Sequence, residues 1–180
     1  MSNMSQTKVS IGLVNPKSPD NVASVMRSAG NFQVNGVLYT GSRYPRAVRL
    51  NTRAPDMSRK VSQNIPLTEV TDLLDDIDET MAVVCIEFAE NAIALPNYQH
   101  PENALYIFGP EDGTISQAII DRADAVVYVP TVGCMNLAAT VNVVLYDRLA
   151  KSHREKNSDT ESNELIRQSR DTNNCLKIKC

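Results

Sequence analysis

The stretch that decides the fold is Val129–Arg148, with the sequence VPTVGCMNLAATVNVVLYDR. It reads as the end of a strand, a tight loop through Gly133 and a helix that opens at Asn136. An asparagine at a helix start accepts hydrogen bonds from the first free backbone N–H groups. The residues that follow are apolar on nearly every side. This pattern predicts a helix buried all round, against its own sheet and against a second subunit.

Short apolar runs before this element predict the strands of a sheet. They are Val9–Val14, Gly36–Thr40, Ala82–Phe88, Ala104–Phe108 and Ala125–Val129. Helical spacing predicts helices from Pro19 onward and over Thr68–Asp78 and Ser116–Arg122. Such an alternation is typical of an α/β domain with a mostly parallel sheet and helices on both faces. A ligand would then bind beyond the carboxyl ends of the strands, where the loops at 87–90, 109–113 and 130–136 lie.

Composition limits the class of protein. A chain of 180 residues with 42% hydrophobic residues suits one globular domain. No apolar run approaches a membrane span, and the start MSNMSQTK is not a signal peptide. The four cysteines are scattered, which favours reduced thiols in the cytoplasm. The two histidines, His100 and His153, leave little material for a metal site, so no metal is expected.

The chain changes character near its end. From Lys151 onward the sequence is polar and nearly devoid of apolar anchors. We therefore predict a catalytic domain over residues 1–150 and a tail over residues 151–180 that is flexible or weakly helical.

A basic segment lies between residues 43 and 60, although the formal net charge of the chain is −3. Its basic residues are Arg43, Arg46, Arg49, Arg53, Arg59 and Lys60, against the single acid Asp56. The segment contains prolines and reads as a loop. Arginine forks match phosphate oxygens, which favours contact with a nucleic acid. The alternative is a solvated loop whose arginines pair with acids elsewhere in the chain.

Three further stretches carry a more specific pattern. The first helix opens with Asn21 and, six residues later, Arg27. The sequence FGPEDG over 108–113 follows a buried strand, and CMNLAA over 134–139 opens the last helix. Neither GxGxxG nor GxxxxGK[ST] is present, which argues against a dinucleotide-dependent oxidoreductase or a P-loop NTPase.

In this order and at these separations, the three stretches resemble motifs one, two and three of the SpoU (TrmH-like) RNA ribose 2′-O-methyltransferases of the SPOUT superfamily. The resemblance covers about Val9 to Lys151. It implies a deep trefoil knot in the C-terminal part of the sheet and a homodimer formed through the final helix. It also implies S-adenosylmethionine as cofactor and a structured RNA, tRNA or rRNA, as substrate.

The resemblance also implies roles for individual residues. The expected catalytic residues are Arg27, Asn21, Glu111 and Asn136. In this expectation Arg27 orients the hydroxyl or a phosphate, and Asn21 and Glu111 fix the guanidinium or the RNA pocket. The expected cofactor-binding residues are Ile86, Glu87, Gly109, Gly113, Val129, Pro130, Cys134, Met135, Asn136 and Ala138. The expected RNA-binding residues are Arg43, Arg46, Arg49 and Arg53.

The sequence departs from the family pattern at three places. Cys134-Met135-Asn136 stands where Ser-Leu-Asn is common, the loop from Pro130 to Cys134 is short, and Ala23 replaces a usual glycine. These departures keep a second hypothesis open, a knotted RNA-binding protein that has lost catalysis. Asn136 could also serve only as a helix cap, and Arg27 only as a solvated arginine.

Overall fold

The computed structural model describes residues 7–50, 64–75, 77–155 and 163–178. The strands are β1 Val9–Leu13, β2 Gly36–Tyr39, β3 Leu67–Glu69, β4 Ala82–Ile86, β5 Ile93–Ala94, β6 Ala104–Phe108 and β7 Ala125–Tyr128. The helices are α1 Pro19–Asn31, α2 Arg43–Leu50, α3 Gln117–Ile120, α4 Leu137–Glu155 and α5 Asn163–Ser169. A single turn of 3₁₀ helix at Leu95–Asn97 follows β5.

The strands form one seven-stranded sheet in the order β3-β2-β1-β6-β4-β7-β5. Every strand pair among the described residues is parallel. β7 lies between β4 and β5, although β4 and β5 are neighbours in sequence. The predicted α/β class and the parallel sheet are therefore confirmed.

The side chains of each strand point alternately to the two faces of the sheet, so the core has two layers. In β6, Tyr106 and Phe108 face the layer that contains α1 and α4. Leu105 and Ile107 face the opposite layer. That second layer is covered by Leu73 and Leu74 from the segment after β3, and the partly buried Ile119 and Ile120 of α3 pack against it. Helices α1 and α4 therefore cover one face of the sheet, whereas a non-helical segment and the short helix α3 cover the other.

Two predicted elements are wrong. The segment Thr68–Asp78 is not a helix, because it begins in β3 and then turns. There the carboxylate of Asp72 accepts a hydrogen bond from the N–H of Leu74 at 2.8 Å, a local bond that competes with helix formation. Conversely, Arg43–Leu50 of the basic segment is a helix and not a loop. Pro45 lies in its first turn, where a missing backbone N–H costs nothing. Residues 51–63 lie outside the described part of the chain.

The final helix is buried on one side only. Val141, Val144 and Leu145 are buried, whereas Tyr146 is 64% exposed and Leu149 is 42% exposed. Burial on every side, as predicted, is therefore not found within a single chain. The helix also continues to residue 155, past the domain boundary predicted at 150.

A buried polar network fixes the second half of α4 to the sheet. The imidazole of His100 is 4% exposed and lies 2.9 Å from Asp147 through Nε2. Its Nδ1 is 2.7 Å from the hydroxyl of Tyr106, and that hydroxyl accepts a hydrogen bond from Arg148 at 3.0 Å. Because the carboxylate of Asp147 can only accept, the neutral imidazole carries its proton on Nε2 and accepts the hydroxyl hydrogen of Tyr106 at Nδ1. Lys151 completes the network with an ion pair of 2.6 Å to Asp147.

This network predicts a pH-dependent stability. Burial, the largest cause, lowers the pKa of His100 below its ordinary value of 6.5, although the bond to Asp147 opposes this shift. The unfolded chain therefore binds the proton first, and the free energy of unfolding should fall as the pH drops below about 6.5. Urea denaturation at pH 7.5 and 5.5 measures the fall. In His100→Gln, which loses about 1–3 kcal/mol at pH 7.5, the fall should be smaller. Equal falls in the two proteins would contradict the assignment.

Candidate functional site

A pocket opens at the carboxyl ends of β4, β6 and β7. Its empty volume, which includes space open to solvent, is about 690 Å³. The lining residues are Ile86, Glu87, Phe88, Phe108, Gly109, Pro110, Glu111, Gly113, Tyr128, Val129, Thr131, Cys134, Met135, Leu137 and Thr140. The lining thus combines apolar side chains with polar groups from three loops. The pocket lies where a parallel sheet is expected to bind a ligand.

Most of the residues predicted to bind a cofactor line this pocket. They are Ile86, Glu87, Gly109, Gly113, Val129, Cys134 and Met135. Three others are not among its lining residues. Pro130 lines a separate groove beside α4, Ala138 is buried in the core, and the amide of Asn136 is engaged in hydrogen bonds at the start of α4.

Glu87 joins two of the loops that form the pocket. Its carboxylate accepts a hydrogen bond from the N–H of Phe88 at 2.9 Å and one from the N–H of Ile115 at 3.0 Å. A Cβ on Gly109 would lie 3.2 Å from the same carboxylate, so a larger residue there would displace Glu87. The bonds therefore hold the segment after β4 against the segment after β6.

Hydrogen bonds also connect the three sequence motifs. The amide nitrogen of Asn136 donates to the side-chain oxygen of Asn21 at 2.9 Å. The amide nitrogen of Asn21 donates to Glu111 at 3.1 Å. Asn136 in turn accepts a hydrogen bond from the N–H of Ala138 at 2.9 Å, so it caps α4 as predicted. One chain of side chains, Glu111–Asn21–Asn136, thus fixes the starts of α1 and α4 beside the pocket.

The carboxylate of Glu111 is held as an anion. Besides Asn21, it accepts hydrogen bonds from the backbone N–H groups of Lys17 and Ser18, at 2.8 and 3.0 Å. Burial alone would raise the pKa of Glu111, but the hydrogen bonds from Ser18 and Asn21 lower it below its ordinary value. A carboxylate with a lowered pKa is a weak base. Glu111 is therefore suited to positioning its neighbours and not to accepting a proton.

Arg27 stands apart from this chain of side chains. It lies on the exposed side of α1, and within the described residues its guanidinium has no hydrogen bond or ion pair. Of the two roles expected for Asn21 and Glu111, a contact with the guanidinium is not found among the described residues of the single chain, and a role in the RNA pocket stays a prediction. Asn21 and Arg27 are six residues apart in α1, so they are separated by a rise of about 9 Å and lie on different faces of the helix.

The predicted RNA-binding arginines differ in their surroundings. Arg43 begins α2 and forms a two-pronged ion pair with Asp112, at 2.8 and 2.9 Å. Arg46 and Arg49 are exposed on α2, and neither has an ion-pair partner in the part of the chain that the structure describes. Arg53 lies outside the described residues.

Several residues that line the pocket are not among those that the sequence predicts. The rings of Phe88 and Tyr128 are 5.9 Å apart at one wall, and Leu137 and Thr140 project from the first turn of α4. The three-residue spacing of Leu137 and Thr140 places both on one helix face, a signal that the sequence does contain. The two aromatic rings meet through strand pairing, which no local pattern indicates.

No group of three or more histidine, cysteine, aspartate or glutamate side chains among the described residues is arranged to hold a metal ion. None of the described helices is long and apolar enough to span a bilayer.

Comparisons with known proteins agree on one family. The model of the SpoU rRNA Methylase family matches residues 8–146. A Staphylococcus aureus protein assigned to the TrmH family of tRNA/rRNA methyltransferases is 25% identical over 143 residues, which cover 76% of this chain and 56% of the relative. The chain thus spans about half the length of the curated relatives it matches.

Solved structures share the fold. The SpoU methyltransferase AviRb of Streptomyces viridochromogenes, in complex with the cofactor AdoMet, superposes with a TM-score of 0.64 at 20% identity, over 82% of this chain and 58% of that one. A structure solved in work on the 2-OH methylation of C/U34 on tRNA gives a TM-score of 0.67 at 18% identity, over 83% and 94% of the two chains. Since the family model covers most of the sequence, the chain belongs to the SpoU rRNA methylase family.

Proposed function

We propose that this protein transfers a methyl group from S-adenosylmethionine to a ribose 2′-hydroxyl of structured RNA, either tRNA or rRNA. The observation that carries the proposal is the hydrogen-bonded chain Glu111–Asn21–Asn136 beside the pocket. It brings the three family motifs, which are far apart in sequence, to one place. The structural neighbours solved with AdoMet and in work on 2-OH methylation of tRNA support the same reaction.

The residues that line the pocket suit the chemical groups of S-adenosylmethionine. Apolar residues such as Ile86, Phe108 and Leu137 suit the adenine ring. The backbone groups near Gly109 and Met135, with the carboxylate of Glu87, offer partners for its polar atoms. When bound, the cofactor supplies a methyl group on a positively charged sulfur. The residues of the pocket then have to orient that group, exclude water and leave one side open to the ribose.

Arg27 is proposed as the residue that acts on the ribose. A hydroxyl is a weak nucleophile that loses its proton as it attacks, so negative charge develops on its oxygen. An arginine is essentially always protonated and can stabilise this charge or hold an adjacent phosphate. The absence of a partner for Arg27 among the described residues leaves its guanidinium available for the RNA.

A trefoil knot is proposed for the C-terminal half of the sheet. β7 pairs with both β4 and β5, and the loop at 87–92 connects these two strands on the side where β7 ends. The chain that leaves β7 must therefore pass this loop before it forms α4. This arrangement supports threading of the C-terminal segment, which is otherwise rare in proteins.

A homodimer is proposed to form through α4. A groove beside this helix is lined by Phe32, Leu95, Pro96, Val129, Pro130, Asn142, Val143, Tyr146, Asp147, Ala150 and Lys151. It is mainly apolar, Tyr146 in its lining is 64% exposed, and the exposed side chain of Leu149 lies on the same helix. Such a surface is typical of a contact between subunits. Because the groove shares Val129 with the pocket, a partner there would also shield one side of the cofactor site.

We predict that Tyr146→Asp combined with Leu149→Asp produces a monomer. Charged groups would have to be buried in an apolar contact, and loss of such anchors weakens binding by about thirtyfold or more. Sedimentation equilibrium of the wild-type protein and the variant measures the change. Leu176→Asp, at an 86% exposed leucine outside the groove, is the control and should leave the dimer intact. A monomeric wild-type protein, or a dimeric double variant, would contradict the proposed interface.

RNA is proposed to bind on the face that contains α2. Arg43, Arg46 and Arg49 follow one another at intervals of three residues, so they share one side of the helix. Arg43 reaches the loop that follows β6, at the mouth of the pocket. The face is therefore suited to hold phosphates while a ribose enters the site.

Calorimetric titration with S-adenosylmethionine tests the pocket. We expect binding in the micromolar range, at about −8 kcal/mol. Met135→Trp should abolish binding, because Met135 lines the pocket and a larger ring would fill it. Val132→Trp is the matched control, since Val132 belongs to the same loop but is fully exposed at its tip. Absence of binding to the wild-type protein, with or without RNA, would favour a non-catalytic RNA-binding protein.

A further inference from the structure

Two cations from different elements converge on one carboxylate at the mouth of the pocket. Arg43, the first residue of α2, contacts both oxygens of Asp112, at 2.8 and 2.9 Å. Lys17, in the loop between β1 and α1, reaches the Oδ2 atom of the same carboxylate at 3.5 Å. The hydrogen bonds from Arg43 hold the pKa of Asp112 below its ordinary value, so the group is an anion at neutral pH. The cluster therefore carries two positive charges and one negative charge.

The position of Asp112 links this cluster to the proposed active site. Asp112 follows Glu111 in a turn that the N–H of Gly113 closes with the carbonyl of Pro110. Glu111 holds Asn21, and Gly109, Pro110 and Gly113 line the pocket. A group bound between Lys17 and Arg43 would therefore lie beside the opening through which a ribose enters.

The chemistry of the cluster suits a phosphate. A carboxylate and a phosphodiester both present two oxygens that share a negative charge, and the guanidinium fork matches either one. The side chains are accessible, since Lys17 is 64% exposed, Asp112 is 51% exposed and Arg43 is 30% exposed. Exposed ion pairs contribute little to stability, so exchanging one anion for another costs little.

We infer that Lys17 and Arg43 form the binding site for a backbone phosphate of the RNA close to the methylated ribose, and that Asp112 occupies this site until RNA displaces it. The inference rests on the proposed function, because it names a contact of that RNA. In this arrangement Asp112 has two effects. It holds Arg43 at the mouth of the pocket in the free protein, and it competes with the phosphate when RNA arrives.

If Asp112 competes with the RNA phosphate for Arg43, substitutions of Asp112 and of Arg43 should change the affinity for RNA in opposite directions. Arg43→Gln and Lys17→Gln should each weaken RNA binding by about threefold to tenfold and flatten its dependence on salt by about one phosphate contact. Asp112→Asn should instead strengthen binding by about threefold, because it removes the competing anion and keeps the shape of the side chain. In the Arg43→Gln background the gain from Asp112→Asn should shrink, since the two residues act through one contact.

The experiment is a titration of unfractionated tRNA, and separately of ribosomal RNA, from cells that lack the gene, between 50 and 200 mM salt. Arg122→Gln and Asp121→Asn make the same charge changes at the other end of the sheet, near the start of β7, and serve as controls. Arg122 is in a comparable exposed ion pair with Asp72, at 3.1 Å. Binding by the controls should match that of the wild-type protein to within twofold.

Two results would overturn the inference. One is wild-type binding by Arg43→Gln and Lys17→Gln. The other is weaker binding by Asp112→Asn, which would mean that the carboxylate only supports Arg43. Methyl transfer is measured separately. If the opposite shifts in binding occur but no methyl group is transferred, the proposed activity fails and the phosphate site stands. If transfer occurs and the variants bind normally, the phosphate site alone fails.

Discussion

Replacement of Arg27 by alanine is expected to reduce methyl transfer to RNA by about 100-fold to 1,000-fold, the usual loss when one group that stabilises a developing oxyanion is removed. Arg27 has an exposed side chain on α1, and its guanidinium has no partner in the described parts of the chain. The variant should therefore keep its folded structure and its affinity for S-adenosylmethionine. The measurement is the rate of transfer of a labelled methyl group at saturating cofactor and RNA.

Two further variants sharpen the test of Arg27. Arg27→Lys keeps the positive charge but not the planar fork, so it should recover only part of the lost activity. Arg122→Ala removes an exposed arginine near the opposite end of the sheet and should have wild-type activity. Full activity in Arg27→Ala would remove Arg27 from the mechanism. A loss confined to the affinity for RNA would indicate a contact with phosphate alone.

Glu111→Gln is expected to have the second largest effect. Glu111 accepts hydrogen bonds from Lys17, Ser18 and Asn21. A glutamine keeps one acceptor oxygen and turns an NH₂ group toward N–H donors, so at least one donor loses its partner. We expect a loss of about 1–3 kcal/mol in the free energy of unfolding. Methyl transfer should fall by about tenfold to 100-fold, because Asn21 and Asn136 lose their fixed positions.

Asp112→Asn separates this effect from a general change in the turn. It makes the same chemical change at the next residue, whose carboxylate faces Arg43 instead of α1. Urea denaturation should show near wild-type stability for Asp112→Asn and reduced stability for Glu111→Gln. Equal stability of Glu111→Gln and the wild-type protein would show that the three hydrogen bonds are not needed to hold the start of α1.

Much of the fold could be predicted from local patterns. Buried strands such as Ala104–Phe108 are continuous apolar runs, and α1 has apolar residues at intervals of three and four. The two predicted elements that were wrong failed for different reasons. Asp72 bonds to Leu74 and directs the chain into a turn instead of a helix. The prolines of the basic segment favour a loop, although the place of Pro45 in the first turn of α2 is compatible with a helix.

Most residues of the site could be predicted from the sequence, but the hydrogen bonds and ion pairs between them could not. The motifs located the pocket through residues such as Gly109, Val129 and Met135. They did not show that Glu111 bonds to Asn21 instead of Arg27, or that Asp112 pairs with Arg43. These contacts join residues about 70 to 90 positions apart, so they depend on how the strands are ordered in the sheet. No periodicity in the sequence encodes that order.

The central claim is tested most directly by locating the transferred methyl group. RNA from cells that lack the gene is incubated with the purified protein and S-adenosylmethionine carrying a labelled methyl group, and is then digested to nucleosides for mass spectrometry. The proposed function predicts the label in 2′-O-methylated nucleosides from tRNA or rRNA, and its loss with Arg27→Ala. Label in base-methylated nucleosides, or no label in any nucleoside, would contradict it.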